Sequence, residues 1–299
     1  MTTTLGYTLS EYIVQIISGL GAGSLLFLIA SGLTLVFGAL RVINFAHGSL
    51  YMLGAYIATT LAPAAGLGNG SFWLYFLAAA LIVAGGGLVM EVLFFRPIYH
   101  RPLLTQLLVT FAFVLIIQGI VREVWGPQSA TTPVPSFLEG SVRILGSGLP
   151  RFTFAFMVMA VVVGLALWGI LYRTGLGRMI RAAVSDPDLL GLSGVNVRAL
   201  FTGVFVIAAF FAGLAGALVT LQGSVGTDLG IDAIIRAFVV VVIGGLGSLG
   251  GAFIAALLVG VAESLGAFWV PQASLAIVFA VLVVVLAIRP QGILGHRTA

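Results

Sequence analysis

The sequence has 299 residues, of which 61% are hydrophobic and only 7% are charged. Soluble domains carry about 25% charged residues, so this composition excludes a soluble globular protein and indicates an integral membrane protein. The net charge of +4 includes 13 basic residues, all arginine, and favours loops beside anionic lipid over binding of nucleic acid. The absence of cysteine excludes disulfides and thiolate metal sites.

The first two predicted helices meet at a polar break. A membrane span needs about 20 apolar residues. On this basis the first two spans are 12–38 and 45–62. The join, GALRVINFAHGSLYMLGAY at 38–56, places Arg41, Asn44 and His47 among apolar residues and glycines. Because such breaks mark the substrate path in transporters, we predict that Asn44, His47 and Tyr51 border a translocation pathway.

Two roles are open for Asn44 and His47. Both side chains can hydrogen-bond across helices, and this structural role is favoured; direct contact with a passing substrate is the alternative. A proton relay through His47 has little support, because no Asp or Glu lies nearby in the sequence. The three histidines, His47, His100 and His296, are too scattered to indicate a metal site, so we expect none.

Seven further spans complete the predicted fold. They are 72–95, 103–121, 153–172, 200–221, two pieces of 237–268, and 274–288. The run GGLGSLGG at 244–251 divides 237–268, either as a cytoplasmic turn or as a re-entrant dip, and makes Gly245 and Gly247 pathway candidates. An external loop is predicted at 122–151. The pattern predicts an all-α, polytopic membrane protein of about nine transmembrane helices with Gly-rich breaks, in a single permease domain at 1–299.

The polar segment at 173–198 predicts two short cytoplasmic helices. Gly175 and Gly177 are expected to end the preceding span, so that 177–184 can form a short basic helix. The second helix is expected over Asp186, Pro187, Asp188, Leu189, Leu190 and Gly191. Its first aspartate is an N-cap candidate, its proline suits the first helical position and its second aspartate suits the first turn.

The leucines of this second helix, Leu189, Leu190 and Leu192, need an apolar partner. A helix lying on the membrane surface would bury them in lipid. A helix that docks in the groove of a cytoplasmic partner would bury them in protein. Both interpretations keep the segment on the cytoplasmic side.

Ionisable residues within the apolar spans are few. Glu263 lies inside 253–268, and an intramembrane carboxylate marks a candidate functional site. Arg236, at the outer end of the preceding piece, is its predicted ion-pair partner; snorkelling of Glu263 to the interface is the alternative. Asp232, four residues before Arg236, has the spacing of a helical pair. Glu91 is expected at a cytoplasmic end with ordinary access to solvent, and the pathway is expected to be largely apolar, without a fixed countercharge.

Three segments resemble one family of membrane proteins. They are VFGALRVINFAHGSLYMLGAYIA at 36–58, RAAVSDPDLLGLSGVNV at 181–197 and VVVVIGGLGSLGGAFIAALLVGVAES at 239–264. They are similar to LivH-type permeases, the membrane subunits of branched-chain amino acid ABC transporters, and the similarity covers nearly the whole chain in order. The resemblance implies a type II ABC-importer-like permease that translocates branched-chain or other hydrophobic amino acids, with 186–194 as the helix that couples it to an ATPase.

The same resemblance implies partners. These are a second, LivM-type permease subunit, two cytoplasmic ABC ATPase subunits and an extracytoplasmic substrate-binding protein, besides membrane lipid. A P-loop needs a lysine against the phosphates, and this chain has none. We therefore expect ATP to be bound by partner subunits only, and no cofactor in this chain.

Three rival functions differ in what they require. A urea or amide ABC permease of the same family shares all three segments. A stand-alone channel or ion-coupled carrier predicts transport without ATPase subunits and leaves the leucine-bearing helix unexplained. An enzyme is not expected, because no paired-carboxylate, Ser/His or metal-ligand constellation lies on adjacent helix faces.

Arginine placement predicts the orientation, because cytoplasmic loops are enriched in basic residues. In the nine-span prediction one side carries Arg41, Arg96, Arg101, Arg173, Arg178, Arg181, Arg198, Arg289 and Arg297. The other side carries Arg122, Arg143, Arg151 and Arg236. The first set is predicted to be cytoplasmic, which puts the N-terminus outside and the C-terminus inside a multi-pass protein of the cell membrane.

Overall fold

The computed structural model describes residues 8–64, 72–99, 101–144 and 146–295. Within these ranges the chain forms eleven α-helices and one β-hairpin. The helices are α1 (Leu9–Leu40), α2 (Ala46–Ala64), α3 (Phe72–Met90), α4 (Leu103–Trp125), α5 (Phe152–Arg173), α6 (Gly175–Ser185), α7 (Pro187–Leu192), α8 (Val197–Val219), α9 (Leu229–Gly244), α10 (Leu249–Trp269) and α11 (Ser274–Ile288). The hairpin pairs β1 (Ser141–Ile144) with β2 (Ser147–Pro150) in antiparallel register.

The prediction of an all-α, polytopic membrane protein is confirmed. Seven helical stretches in the described ranges are long and apolar enough to cross a membrane. The predicted count of nine exceeds this number by α2 and α9. Helix α9 has 16 residues, about 24 Å at 1.5 Å per residue, which is shorter than the roughly 30 Å hydrocarbon core of a bilayer.

Glycines bring α1 and α10 into close contact. Gly19 and Gly23 lie four residues apart on α1, the spacing at which small residues let membrane helices approach. A Cβ added at Gly23 would lie 2.6 Å from the Ala256 carbonyl oxygen of α10. The two backbones therefore touch without side chains between them, and α1 forms its most extensive packing with α10.

Helix α2 lies inside the bundle and packs mainly against α3, α4, α8 and α9. Its backbone contacts glycines of α8, since a Cβ at Gly216 would overlap the Tyr51 carbonyl group. Gly48 of α2 packs in the same way against the Gly230 carbonyl of α9. These close contacts with glycines of α8 and α9 explain why most of the described side chains of α2 are buried.

Helix α2 begins within the bundle, level with the middle part of α1. After α1 ends, Arg41 takes the left-handed conformation (φ 56°), and the next residues are not helical. The His47 Nε2 atom then lies 3.0 Å from the Ile29 carbonyl oxygen, and Ile29 stands about three turns before the end of α1. The segment 41–45 therefore runs back alongside α1 into the bundle.

Three boundaries differ from the sequence-based prediction. The predicted external loop contains the β1–β2 hairpin, and α4 extends into this region as far as Trp125. Helix α9 begins at Leu229, which places Arg236 inside a helix and not at the end of a loop. Gly175 and Gly177 lie within α6; the chain turns at Thr174 instead, where the Thr174 Oγ1 atom accepts a hydrogen bond from the Gly177 N–H.

Candidate translocation and coupling sites

A cavity of about 260 Å³ lies between α1, α2, α8, α9 and α10. Its polar lining consists of Tyr51, Gln222, Asp232, Arg236 and Glu263. The rest of its wall is aliphatic, from residues such as Leu25, Ile29 and Val219. The cavity therefore combines charged groups with an apolar surface, and its exposed residues Gln222 and Asp232 show that it is open to the surface of the bundle.

The structure brings the predicted ion pair together. The Arg236 Nε atom of α9 lies 3.2 Å from the Glu263 Oε1 atom of α10. The Nε–H group makes no aligned hydrogen bond to that oxygen, so the contact is electrostatic. Both side chains are partly exposed, 34% for Arg236 and 21% for Glu263, and both face the cavity.

Helix α9 sets the positions of the charges. Asp232 and Arg236 are four residues apart, which puts them on one face of the helix. No ion pair joins these two residues in the described part of the chain. Asp232 therefore lines the cavity with an unpaired carboxylate, beside an arginine whose partner is on the next helix.

These charges bear on one expectation from the sequence. We expected a pathway without a fixed countercharge, and the cavity that contains the candidate Tyr51 has three charged side chains. The sequence paired Arg236 with Glu263 and with Asp232, but it placed Arg236 at the end of a loop. The start of α9 at Leu229 places Arg236 within a helix, where it lines the cavity.

A surface groove of about 500 Å³ adjoins the cavity. Its lining includes Gln15, Ser18 and Ser264, and it shares Ala22 and Glu263 with the inner cavity. The Ser264 hydroxyl donates a hydrogen bond to the Gln15 carbonyl oxygen across α1 and α10. Glu263 thus stands on the wall between an open groove and the interior.

Asn44 and His47 lie at the entry to α2, and neither lines the cavity. His47 is 1% exposed and is held by its hydrogen bond with the Ile29 carbonyl of α1. This is the type of contact that the structural interpretation requires. Asn44 is also buried, and its side-chain amide has no hydrogen-bond partner among the described residues.

Gly245 and Gly247 lie at the opposite end of α9 from Leu229, in the turn before α10. Both have positive φ angles, 97° and 81°. The segment Gln291–Gly295 covers this turn, and its Ile293 N–H donates a 2.8 Å hydrogen bond to the Ile243 carbonyl. The break in the helix lies where it was predicted, and the two glycines contact the C-terminal segment and α1, away from the cavity.

Helices α6 and α7 form a compact element between α5 and α8. The Asp186 Oδ1 atom accepts hydrogen bonds from the backbone N–H groups of Asp188 and Leu189. Pro187 occupies the first helical position, as predicted, and Gly194 (φ 83°) follows the helix end. The caps fix a helix of six residues that would be marginal without them.

The leucines of α7 point in two directions. Leu189 and Leu192 are 61% and 86% exposed. Leu190 is partly buried and packs against the core of the bundle. Only Leu189 and Leu192 thus form the free apolar surface that was predicted for all three leucines.

A buried charged cluster at the end of α3 was missed by sequence reasoning. Glu91 is 0% exposed, in contrast to the expected solvent access. Its carboxylate accepts hydrogen bonds from Arg96 at 3.4 Å and from the Tyr99 hydroxyl at 3.1 Å. Arg96 also donates a 2.6 Å bond to Thr202 of α8. Burial, and then the charge of Glu91, raise the pKa of the Tyr99 hydroxyl, which keeps Tyr99 protonated as a donor.

The structure holds no group of His, Cys, Asp or Glu side chains arranged for a metal ion within the ranges it describes. His47 is fixed to a backbone carbonyl. The other two histidines named above, His100 and His296, lie outside the described residues.

Comparisons with known proteins agree on one family. Residues 15–286 match the family model described as the permease component of branched-chain amino acid transport systems. The chain is 33% identical to the permease protein BraD of a high-affinity branched-chain amino acid transport system from Pseudomonas aeruginosa, over 96% of both chains. It is 30% identical to LivH of Escherichia coli K12, over 95% of this chain and 96% of LivH.

A third relative, less similar in sequence, is another permease protein of a branched-chain amino acid transport system. The chain is 28% identical to the permease protein LivM of Escherichia coli K12, over 88% of this chain and 66% of LivM. The comparison with solved structures found no match.

Proposed function

The chain belongs to the family of permease components of branched-chain amino acid transport systems, and on that premise we propose that it is the membrane-spanning subunit of an ABC importer for branched-chain amino acids. It is a multi-pass membrane protein and a transport permease, not an enzyme. In this proposal the chain forms the passage, and separate subunits hydrolyse the ATP that drives it.

The observation that carries the proposal is the form of α7. Two exposed leucines stand on a short helix that is capped at its start and anchored through Leu190. An apolar helix face of this kind suits a groove in a partner protein. We assign the groove to a cytoplasmic ABC ATPase, with Asp186–Gly191 as the coupling segment inside 173–198.

The relatives support one further partner, a second permease subunit. The named systems contain LivH-type and LivM-type permeases, so the proposed complex pairs this chain with a LivM-type subunit. Two ATPase subunits and an extracytoplasmic binding protein complete it. Substrate affinity would then reside mainly in the binding protein, and this chain would provide a permissive path.

The proposed orientation puts α6 and α7 in the cytoplasm. Arg41 contacts α6 and Arg96 contacts the start of α8, so these two basic residues lie at the same end of the bundle as the coupling segment. Basic residues favour the cytoplasmic side. The N-terminus is then outside and the C-terminus inside, and the 122–151 loop is external.

The proposed path runs through the cavity beside Tyr51. The break at Asn44 and His47 starts α2, whose next turn carries Tyr51, and the Gly245–Gly247 turn ends α9, which carries Arg236. Movement at either break would shift a helix that lines the cavity. All five sequence candidates therefore remain part of the proposed path: Tyr51 lines the cavity, and the other four lie at the two breaks, away from it.

The named relatives favour branched-chain amino acids over urea. The test is uptake into proteoliposomes that contain this chain with its co-purified permease, ATPase and binding-protein partners. We expect uptake of labelled leucine that requires ATP and no comparable uptake of labelled urea. Uptake of urea in preference to leucine would overturn the proposed substrate.

A further inference from the structure

We infer that the cavity beside Tyr51 binds the zwitterionic head group of an amino acid, with Arg236 holding the carboxylate and Asp232 holding the ammonium. The inference rests on the proposed function, because it assigns the substrate contacts of the same path. The inference gives separate roles to the charged side chains of Asp232, Arg236 and Glu263, whereas the sequence indicated mainly an ion pair between Arg236 and Glu263.

Arg236 has free donors. Its Nε atom lies 3.2 Å from the Glu263 Oε1 atom, and no nitrogen of the guanidinium makes a hydrogen bond within the described residues. These two nitrogens present parallel N–H groups that match the two oxygens of a carboxylate. Glu263 holds the other side of the guanidinium and so fixes its orientation toward the cavity.

Asp232 supplies the opposite charge. It is exposed, lines the cavity and stands one helical turn before Arg236. Side chains at this spacing have Cβ atoms about 5–6 Å apart, a separation that lets two charged tips contact the two ends of one small zwitterion. With Glu263 included, the cavity carries two carboxylates and one guanidinium. A bound zwitterion leaves this net charge unchanged, while its ammonium pairs with Asp232 and its carboxylate with Arg236.

The rest of the wall suits an aliphatic side chain. Leu25, Leu26 and Ile29 of α1 and Val219 of α8 face the cavity. Its volume of about 260 Å³ is below the roughly 300–1,000 Å³ of sites for drug-sized ligands, which suits a molecule as small as an amino acid. Urea is uncharged and would leave both charged groups without a matching charge.

The neighbouring groove gives access to the site. Ala22 and Glu263 border both the groove and the cavity. A substrate arriving in the groove would pass Glu263 before it reaches Arg236. Binding of a substrate in the cavity should therefore be detectable at the wall between the groove and the cavity.

Protection of an introduced cysteine tests the site directly. The chain has no native cysteine, so Ala22→Cys and Leu229→Cys each provide a single reactive thiol on the cavity wall. The membrane complex of the two permease and two ATPase subunits, without the binding protein, is treated with a small methanethiosulfonate reagent. The labelling is done in the presence of leucine, 3-methylbutylamine or 4-methylpentanoate. These two analogues lack the carboxylate and the ammonium of leucine respectively.

We expect leucine to slow the labelling several-fold and each analogue to have a much smaller effect. In the Asp232→Asn variant the protection by leucine should fall to the level of the analogues. The matched control is Asp228→Asn, which removes the same charge from an exposed residue outside the cavity and should keep full protection. Arg236→Lys, which retains the charge and loses the paired donors, should give weak protection.

Equal protection by leucine and both analogues would overturn the inference, as would no protection or no labelling at either cysteine. Retained protection in Asp232→Asn would overturn the role of that residue. Uptake of leucine by the unaltered complex is measured in parallel. If uptake is normal and the protection pattern fails, the head-group site is wrong and the proposed function stands; if uptake is absent, the proposed function itself fails.

Discussion

The Arg41 Nη2 atom donates a 3.1 Å hydrogen bond to the carbonyl oxygen of Val184. This bond links the break between α1 and α2 to α6, which directly precedes α7. Arg41 is also the one non-glycine residue with a positive φ angle in the described ranges. The proposed coupling element is thus tied to the entry of the helix that carries Tyr51, and movement of α7 can reach the cavity through it.

Replacing Arg41 tests this link. Arg41→Gly removes the hydrogen bond, and glycine adopts the left-handed conformation without the penalty of about 1–2 kcal/mol that other residues incur. We therefore expect normal insertion and assembly but several-fold less leucine transported per ATP hydrolysed, measured in proteoliposomes. Arg41→Lys retains a donor and should show a smaller loss. An unchanged transport ratio in Arg41→Gly would show that the bond does not transmit coupling.

The exposed leucines of α7 give the second prediction. Leu189→Asp with Leu192→Asp puts charges on the surface that is proposed to enter the ATPase. Fully burying a leucine side chain contributes about 1.5–3 kcal/mol, so we expect the ATPase subunits to be lost on co-purification while the chain stays inserted. The control, Leu189→Met with Leu192→Met, keeps the apolar surface and should keep the ATPase. Retention of both ATPase subunits by the aspartate variant would exclude the docking role.

The buried cluster around Glu91 gives a prediction about stability. Glu91→Leu leaves Tyr99 without its acceptor and Arg96 with Thr202 alone. We expect a destabilisation of about 1–3 kcal/mol, measured as a lower midpoint of thermal unfolding in detergent. Removing both members of a buried ion pair costs less than removing one. Glu91→Leu with Arg96→Leu should therefore recover part of the loss. A double variant less stable than the single one would contradict this account.

The packing of α2 against α8 gives the fourth prediction. A methyl group at Gly216 would overlap the Tyr51 carbonyl group, and overpacking of this kind costs about 1–3 kcal/mol. Gly216→Ala should lower the yield of folded protein and its unfolding temperature. Gly119→Ala is the matched control, because a Cβ at Gly119 in α4 meets nothing within 4 Å. Equal stability of the two variants would mean that α2 and α8 are not in close contact.

Local patterns in the sequence were sufficient for much of this structure. The caps of α7 depend on residues within three positions of Asp186, and the structure has them as predicted. The helix break before Gly251 is likewise encoded by the glycines of that turn. Features of this kind are visible in a sequence because both partners of each contact are close along the chain.

Features that depend on distant contacts were not predictable in the same way. Glu91 is buried because Arg96, its partner, is itself held by Thr202, which lies 106 residues away. The charged lining of the cavity depends on the start of α9, and no side-chain cap marks that start at Asp228. The sequence paired Arg236 with Glu263 correctly in space, yet it gave no sign of the cavity that they share with Asp232.

The central claim is that this chain forms the passage while an ATPase acts through α7. Its most direct test compares leucine uptake into two sets of proteoliposomes, one with the complete complex and one with the two permease subunits alone. Uptake should require the ATPase subunits and hydrolysable ATP. Equal uptake by the permease subunits alone, without ATP, would contradict the claim.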